Sequence, residues 1–123
     1  MYEINVNHLK KEVYVFADGF FTLEEANSFI AEYKRKTGAV NTSDYNLIVN
    51  TKDLKTSTPE VAEKLVDVIA MYMVNPYKAR YSVKLSNAVA QMQVNRMGRT
   101  IEGFSEGMTF VTDEAEAYKL INK

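Results

Sequence analysis

"YNLIVNTKDLKTSTPEVAEKL", Tyr45–Leu65, decides the fold. Its first six residues are a short apolar run of the kind found in a buried central strand. Its last third opens a helix. Val61, Leu65, Val68, Ile69, Tyr72 and Met73 recur at helical spacing, and Pro76 ends the pattern. Pro59 suits the first helical position, with Thr58 or Ser57 as N-cap. A buried strand that runs through a polar loop into a long amphipathic helix is half of a β-α-β unit.

The flanking sequence extends this unit in both directions. Upstream, "YEINVNH" alternates, with Tyr2, Ile4 and Val6 on one face and Glu3, Asn5 and Asn7 on the other. "EVYVFA" follows after a short connection around Leu9 to Lys11, which predicts an antiparallel hairpin. In "DGFFTLEEANSFIAEYKRKTG", Thr22 and Glu25 have capping-box spacing. Leu23, Ala26, Phe29, Ile30 and Tyr33 then line one helical face. Lys34, Arg35 and Lys36 suit the last turn, and Gly38 the C-terminal cap. Downstream come the strand "RYSVKLS", the helix "NAVAQMQVNRMG" stopped by Gly98, the strand "GMTFV" and the helix "TDEAEAYKLINK". The order is β-β-α-β-α-β-α-β-α. Right-handed crossovers then give a mixed, mostly parallel α/β sheet of about five strands with an N-terminal antiparallel hairpin and about four helices.

Composition bounds the function. A chain of 123 residues favours one domain. A hydrophobic share of 46% and a charged share of 25% are ordinary for a soluble globular protein. A formal charge of −1 favours neither nucleic acid nor an anionic membrane. The absence of cysteine excludes disulfides and thiolate chemistry. "MYEINVNHLKKEVYVF" has no apolar run long enough for a signal peptide or membrane span, so a cytoplasmic location is expected.

Motifs for catalysis are sparse. His8 is the only histidine, placed by the hairpin turn, and no second His or Cys completes a familiar zinc site. Asp44, Asp53, Glu60 and Glu63 show no spacing that marks an acid and a base. Gly103-Phe104-Ser105-Glu106-Gly107 matches the nucleophile elbow by letter, but a strand follows it and no histidine comes after Ser105. No enzyme, metal or cofactor is expected.

Two regions remain. Thr56, Ser57 and Thr58 cluster before Pro59-Glu60, where a helix needs a cap. A phosphate on this loop would also meet the helix N-terminus, where backbone donors and the dipole favour an anion. In the helix after Asn87, Ala90, Val94 and Met97 form an apolar stripe, while Met92, Arg96 and Arg99 share another side. Methionines at this spacing suit a core and also an adaptable interface or pocket. With Met71 and Met73, Tyr72, Tyr77 and Tyr81 as aromatic surface, and Lys78, Arg80 and Lys84 as added cations, that side is a candidate contact surface.

The order of elements resembles the STAS domain of anti-sigma-factor antagonists, and more closely the small SpoIIAA-like proteins. "VYVFADGFFTLEEANSFIAEYKRK" is similar to the family's second strand, glycine turn and first helix. "YNLIVNTKDLKTSTPEVAEKL" resembles its central strand, functional loop and second helix, and "GMTFVTDEAEAYKLI" its closing strand, turn and helix. The resemblance implies a non-enzymatic module that binds a protein partner, switched by phosphorylation at Thr56, Ser57 or Thr58. Thr56 stands where that family has an aspartate, and Pro59 and Glu60 replace its small residues. Similarity to the lipid-transfer branch of the fold group implies the alternative of a small apolar ligand or lipid. A structural accessory role is a third reading. A strand edge or the Met-rich helix would support a homodimer.

Overall fold

The computed structural model describes residues 1–123. β1 (Tyr2–Asn7) and β2 (Glu12–Ala17) pair antiparallel, with Ile4 opposite Val15 and Val6 opposite Val13. Local chemistry closes this hairpin. The Asn7 side-chain oxygen accepts from the backbone N–H of Leu9 and Lys10, at 3.1 and 3.0 Å. Lys11 then takes a left-handed conformation, φ 54°.

α1 (Leu23–Thr37) starts on the predicted capping box. Glu25 N–H donates to Thr22 Oγ1 at 3.0 Å, and Thr22 N–H donates to Glu25 Oε1 at 3.2 Å. A 3-10 turn at Thr42–Asp44 leads into β3 (Asn46–Asn50). α2 (Pro59–Val74), β4 (Ala79–Val83) and α3 (Ala88–Gly98) follow. A single helical turn, α4 (Phe104–Gly107), precedes β5 (Thr109–Val111), and α5 (Glu114–Ile121) ends the chain. The expected order holds with one helix more than the four expected, since α4 is too short to produce a periodic pattern.

The sheet order is β1-β2-β3-β4-β5, antiparallel at β1–β2 and parallel elsewhere. Because the parallel strands advance in one direction, right-handed crossovers put every connecting helix on the same face. The main core lies there, joining Val13, Val15, Leu47 and Val49 of the sheet to Phe29 and Tyr33 of α1, Ile69 of α2 and Met97 of α3. α5 alone covers the opposite face, where Ala117 packs on Ile48, Val83 and Val111. Full burial of each large aliphatic side chain contributes about 1.5–3 kcal/mol.

The end of α2 has no basic residue of its own, and β4 supplies the cation. Arg80 donates to the Tyr72, Met73 and Asn75 carbonyls at 2.7, 3.3 and 2.6 Å. Arg80 is therefore committed to helix capping and does not join a surface basic patch. The expected aromatic surface is also absent. Tyr72 and Tyr77 are buried in the main core, and Tyr81 lies on the α5 face of the sheet. Tyr72 and Tyr81 serve packing through their helix and strand positions, and Tyr77, in the loop between α2 and β4, through its hydroxyl contact with Tyr33.

The free edges are managed. Lys36 of α1 reaches across β1 and donates to the Ile4 carbonyl at 2.6 Å, while its ammonium also pairs with Glu32 at 3.3 Å. A lysine on an edge carbonyl obstructs the addition of another strand. β5, at the other edge, is only three residues long. No helix is long and apolar enough to cross a membrane.

Candidate functional site

The carboxyl ends of the parallel strands gather the loops after β2, β3, β4 and β5. In open α/β sheets ligands bind in a crevice where the strand order reverses. Here the order never reverses, and the loops knit together instead. Gly19 N–H donates to the Asp53 carbonyl at 3.1 Å, and Lys55 N–H donates to the Gly19 carbonyl at 3.0 Å. Gly19 adopts φ 71°, a conformation open to glycine at no steric cost. Ser86 N–H and Oγ both donate to the Lys52 carbonyl, at 2.8 and 3.0 Å. The Thr51–Thr58 segment is thus held from both sides.

Thr58 is the N-cap of α2. Its Oγ1 accepts from Val61 N–H at 3.4 Å, with Pro59 at the first helical position. This settles the choice left open between Thr58 and Ser57. Ser57 takes a different role. Its backbone N–H donates to Gln93 Oε1 at 3.0 Å, and its carbonyl accepts from Gln93 Nε2 at 3.2 Å. One glutamine amide therefore answers both polar groups of one loop residue, in the manner of a neighbouring strand. Gln91 does similar work two residues earlier. Its Oε1 accepts from Leu85 N–H at 2.8 Å and its Nε2 donates to Asn95 at 2.9 Å.

The candidate residues divide by position. Ser57, Arg96 and Met97 line one groove between α2 and α3, about 400 Å³ in volume, together with Gln93 and Glu63. Met97 is itself buried, so it forms the floor of the groove rather than a surface contact. Met92 is 61% exposed and stands apart from that groove, as do Thr56 and Thr58. Arg99 lies in a separate cleft beside α4, with Asn95 and Ser105. Sequence reasoning missed three further residues near the same edge, two of them exposed. Phe20 is 70% exposed in the loop after β2, and Val89 is 63% exposed at the start of α3. Gln93, which ties the loop to the helix, was also passed over. An apolar residue beside a turn glycine was the one available signal for Phe20.

The residues considered for catalysis do not converge. His8 is exposed in the β1–β2 turn, where its Nδ1 meets the Tyr45 hydroxyl at 2.8 Å. Ser105 sits on α4, with no strand leading into it. Asp53 approaches Ser86 at 3.5 Å, and Asp44 meets Asn41 at 3.4 Å, in separate turns. No group of three His, Cys, Asp or Glu side chains is placed to hold a metal.

A polar cluster pins α5 to the sheet. The Glu114 carboxylate accepts from the Tyr14 hydroxyl at 2.8 Å and from the Asn50 amide. The Tyr118 hydroxyl donates to Glu12 at 3.2 Å. Burial, reinforced by these carboxylates, pushes the Tyr14 and Tyr118 hydroxyls up to about 12. In the main core, burial raises Tyr77 and Tyr33 as well; their hydroxyls meet at 2.6 Å.

No protein-family model matches this chain, and no curated protein is significantly similar to it.

Proposed function

We propose that the chain is a non-enzymatic interaction module of the STAS and SpoIIAA-like kind, which binds a protein partner at the carboxyl edge of its sheet. The observation that carries the reading is the Ser57–Gln93 clamp. It presents a Ser/Thr-rich loop in a fixed pose beside exposed apolar residues, Phe20, Val89 and Met92. Large apolar side chains held at an edge are what a partner surface needs.

Phosphorylation at Thr56, Ser57 or Thr58 would act on the clamp. Thr56 and Ser57 are half-buried and Thr58 is exposed. A phosphate on Ser57 enters the groove that Arg96 lines, and gains a cation there. Glu63 lines the same groove and opposes it. The outcome is a loop whose pose depends on its modification.

The lipid alternative has less support. The apolar chamber between the sheet and the helices, at about 70 Å³, falls well short of the 300–1,000 Å³ of ordinary ligand pockets and has no room for a lipid tail.

Phosphosite-resolved mass analysis of the chain from its native cells tests the switch. Phosphate on Thr56, Ser57 or Thr58, together with a bound protein whose retention changes on phosphatase treatment, supports it. An unmodified loop under several growth conditions, with no protein retained, sinks the regulatory reading.

A further inference from the structure

The apolar chamber lies between the sheet and α2, α3 and α4, with Val68, Met97 and Phe104 among its walls. One of the few polar groups on its lining is Ser82 of β4, only 7% exposed. Every wholly sequestered side-chain nitrogen or oxygen in the protein has a hydrogen-bond partner. The Ser82 hydroxyl makes no side-chain hydrogen bond, and Ser82 lines the chamber. A hydroxyl in an apolar chamber costs free energy unless something inside meets it.

Phe104, Met108 and Phe110 also form a wall of the surface cleft beside α4, about 340 Å³ in volume. The outer side of this cleft carries Arg99, Asn95 and Ser105. Arg99 is exposed and pairs with no carboxylate: the ion pairs of the chain involve only the N-terminus and Lys36. One wall therefore separates an apolar chamber with a hydroxyl from a free guanidinium. Passage through the wall takes a side-chain shift, centred on Met108. Methionine adapts its shape at low cost, and Phe104 is carried by a single helical turn.

We infer that chamber and cleft form one binding site for a short-chain hydroxy acid. The carboxylate sits on Arg99, the apolar chain passes Met108 into the chamber, and the far hydroxyl meets Ser82. A chamber of about 70 Å³ admits the end of a short chain and no lipid tail. Guanidinium suits a planar carboxylate, and an apolar passage selects against small hydrated anions. This inference is independent of the partner-binding loop.

The test is a titration of protein labelled at its methionine methyls, read by NMR, with omega-hydroxyhexanoate and hexanoate as probes. Six methionines report separately. Saturable shifts are expected at Met97 and Met108, with none at Met1 or Met92. Arg99→Gln should weaken both probes about tenfold, the loss of one charge-assisted contact. Ser82→Ala should abolish the preference for the hydroxylated probe and leave hexanoate binding in place. Arg99 is exposed, so its variant is expected to keep the parent melting temperature. Non-saturable shifts, shifts spread over Met1 and Met92, equal affinity of the two probes, or full affinity in Arg99→Gln would each overturn the inference.

Discussion

Gln93 of α3 holds Ser57 by both of its backbone polar groups, donating to the carbonyl at 3.2 Å and accepting from the N–H at 3.0 Å. No other residue ties this loop position to α3 by hydrogen bonds. Gln93→Ala should cost about 1–2 kcal/mol, since two neutral hydrogen bonds are lost at a half-buried position. The sharper readout is local: amide exchange at Ser57 should speed up while the centre of α2 stays protected. Gln93→Glu keeps the acceptor and loses the donor, so it should fall between. Unchanged exchange at Ser57 in Gln93→Ala would remove the clamp from the account.

Thr58 and Ser57 should respond differently to truncation. Thr58 Oγ1 caps α2, whereas the Ser57 hydroxyl bonds to nothing in the chain. Thr58→Ala should destabilise the protein by about 1 kcal/mol, and Ser57→Ala by a few tenths at most. Thr58→Asp should retain the cap. Urea denaturation of the three variants measures these differences. A larger cost at Ser57 than at Thr58 would contradict the assignment of the cap.

Arg80 closes the end of α2 through three carbonyls, so its removal should be more costly than that of a surface arginine. Arg80→Met keeps much of the apolar stem and removes the donors. A loss of about 2 kcal/mol is expected, because hydrogen bonds from a charged group are the stronger kind. Lysine cannot reproduce the fork and should recover only part of it. Near-parent stability in Arg80→Met would mean that water caps these carbonyls equally well.

Gly98 is held by contact rather than by conformation. It lies at the last residue of α3 with no left-handed φ, and a Cβ there would overlap the Phe104 ring. Gly98→Ala should therefore destabilise the protein by about 1–3 kcal/mol through overpacking. Adding Phe104→Leu should recover part of the loss, giving a favourable coupling in a double-mutant cycle. Additive losses would place the strain elsewhere.

How much could be read from the chain follows the range of each interaction. The Thr22–Glu25 box and the Thr58–Pro59 cap are chemistry within one turn, and both were visible as residue patterns. The strand–helix alternation was visible for the same reason, since hydrophobic period is local. Gln93 and Ser57 lie 36 residues apart, and a glutamine on a helix looks the same whether it faces water or a loop. Arg80 looked like a surface cation, although its partners are carbonyls that carry no side-chain signature. Gly98 was read as a helix stop, because the sequence does not show that Phe104 returns to rest on it. The burial of Tyr77, in the loop between α2 and β4, rests on Tyr33, 44 residues away, whose hydroxyl it meets.

Alkaline pH should loosen α5 first. Burial and then the Glu114 carboxylate raise the Tyr14 hydroxyl from 10.0 to about 12, and burial and then Glu12 do the same for Tyr118. In the unfolded chain these phenols ionise near 10, so between pH 10 and 12 the native state holds more protons than the unfolded one. Stability then falls as pH rises across that window, and it is fully present below pH 10. The ionised phenols would lose their donor hydrogens and face Glu114 and Glu12 as like charges. Tyr14→Phe and Tyr118→Phe should each lower stability at neutral pH, by about 1 kcal/mol for the lost bond. Each should also flatten the alkaline slope of stability in urea titrations. A slope unchanged in the double variant would show that other buried phenols, Tyr33, Tyr72 or Tyr77, govern the alkaline limit instead.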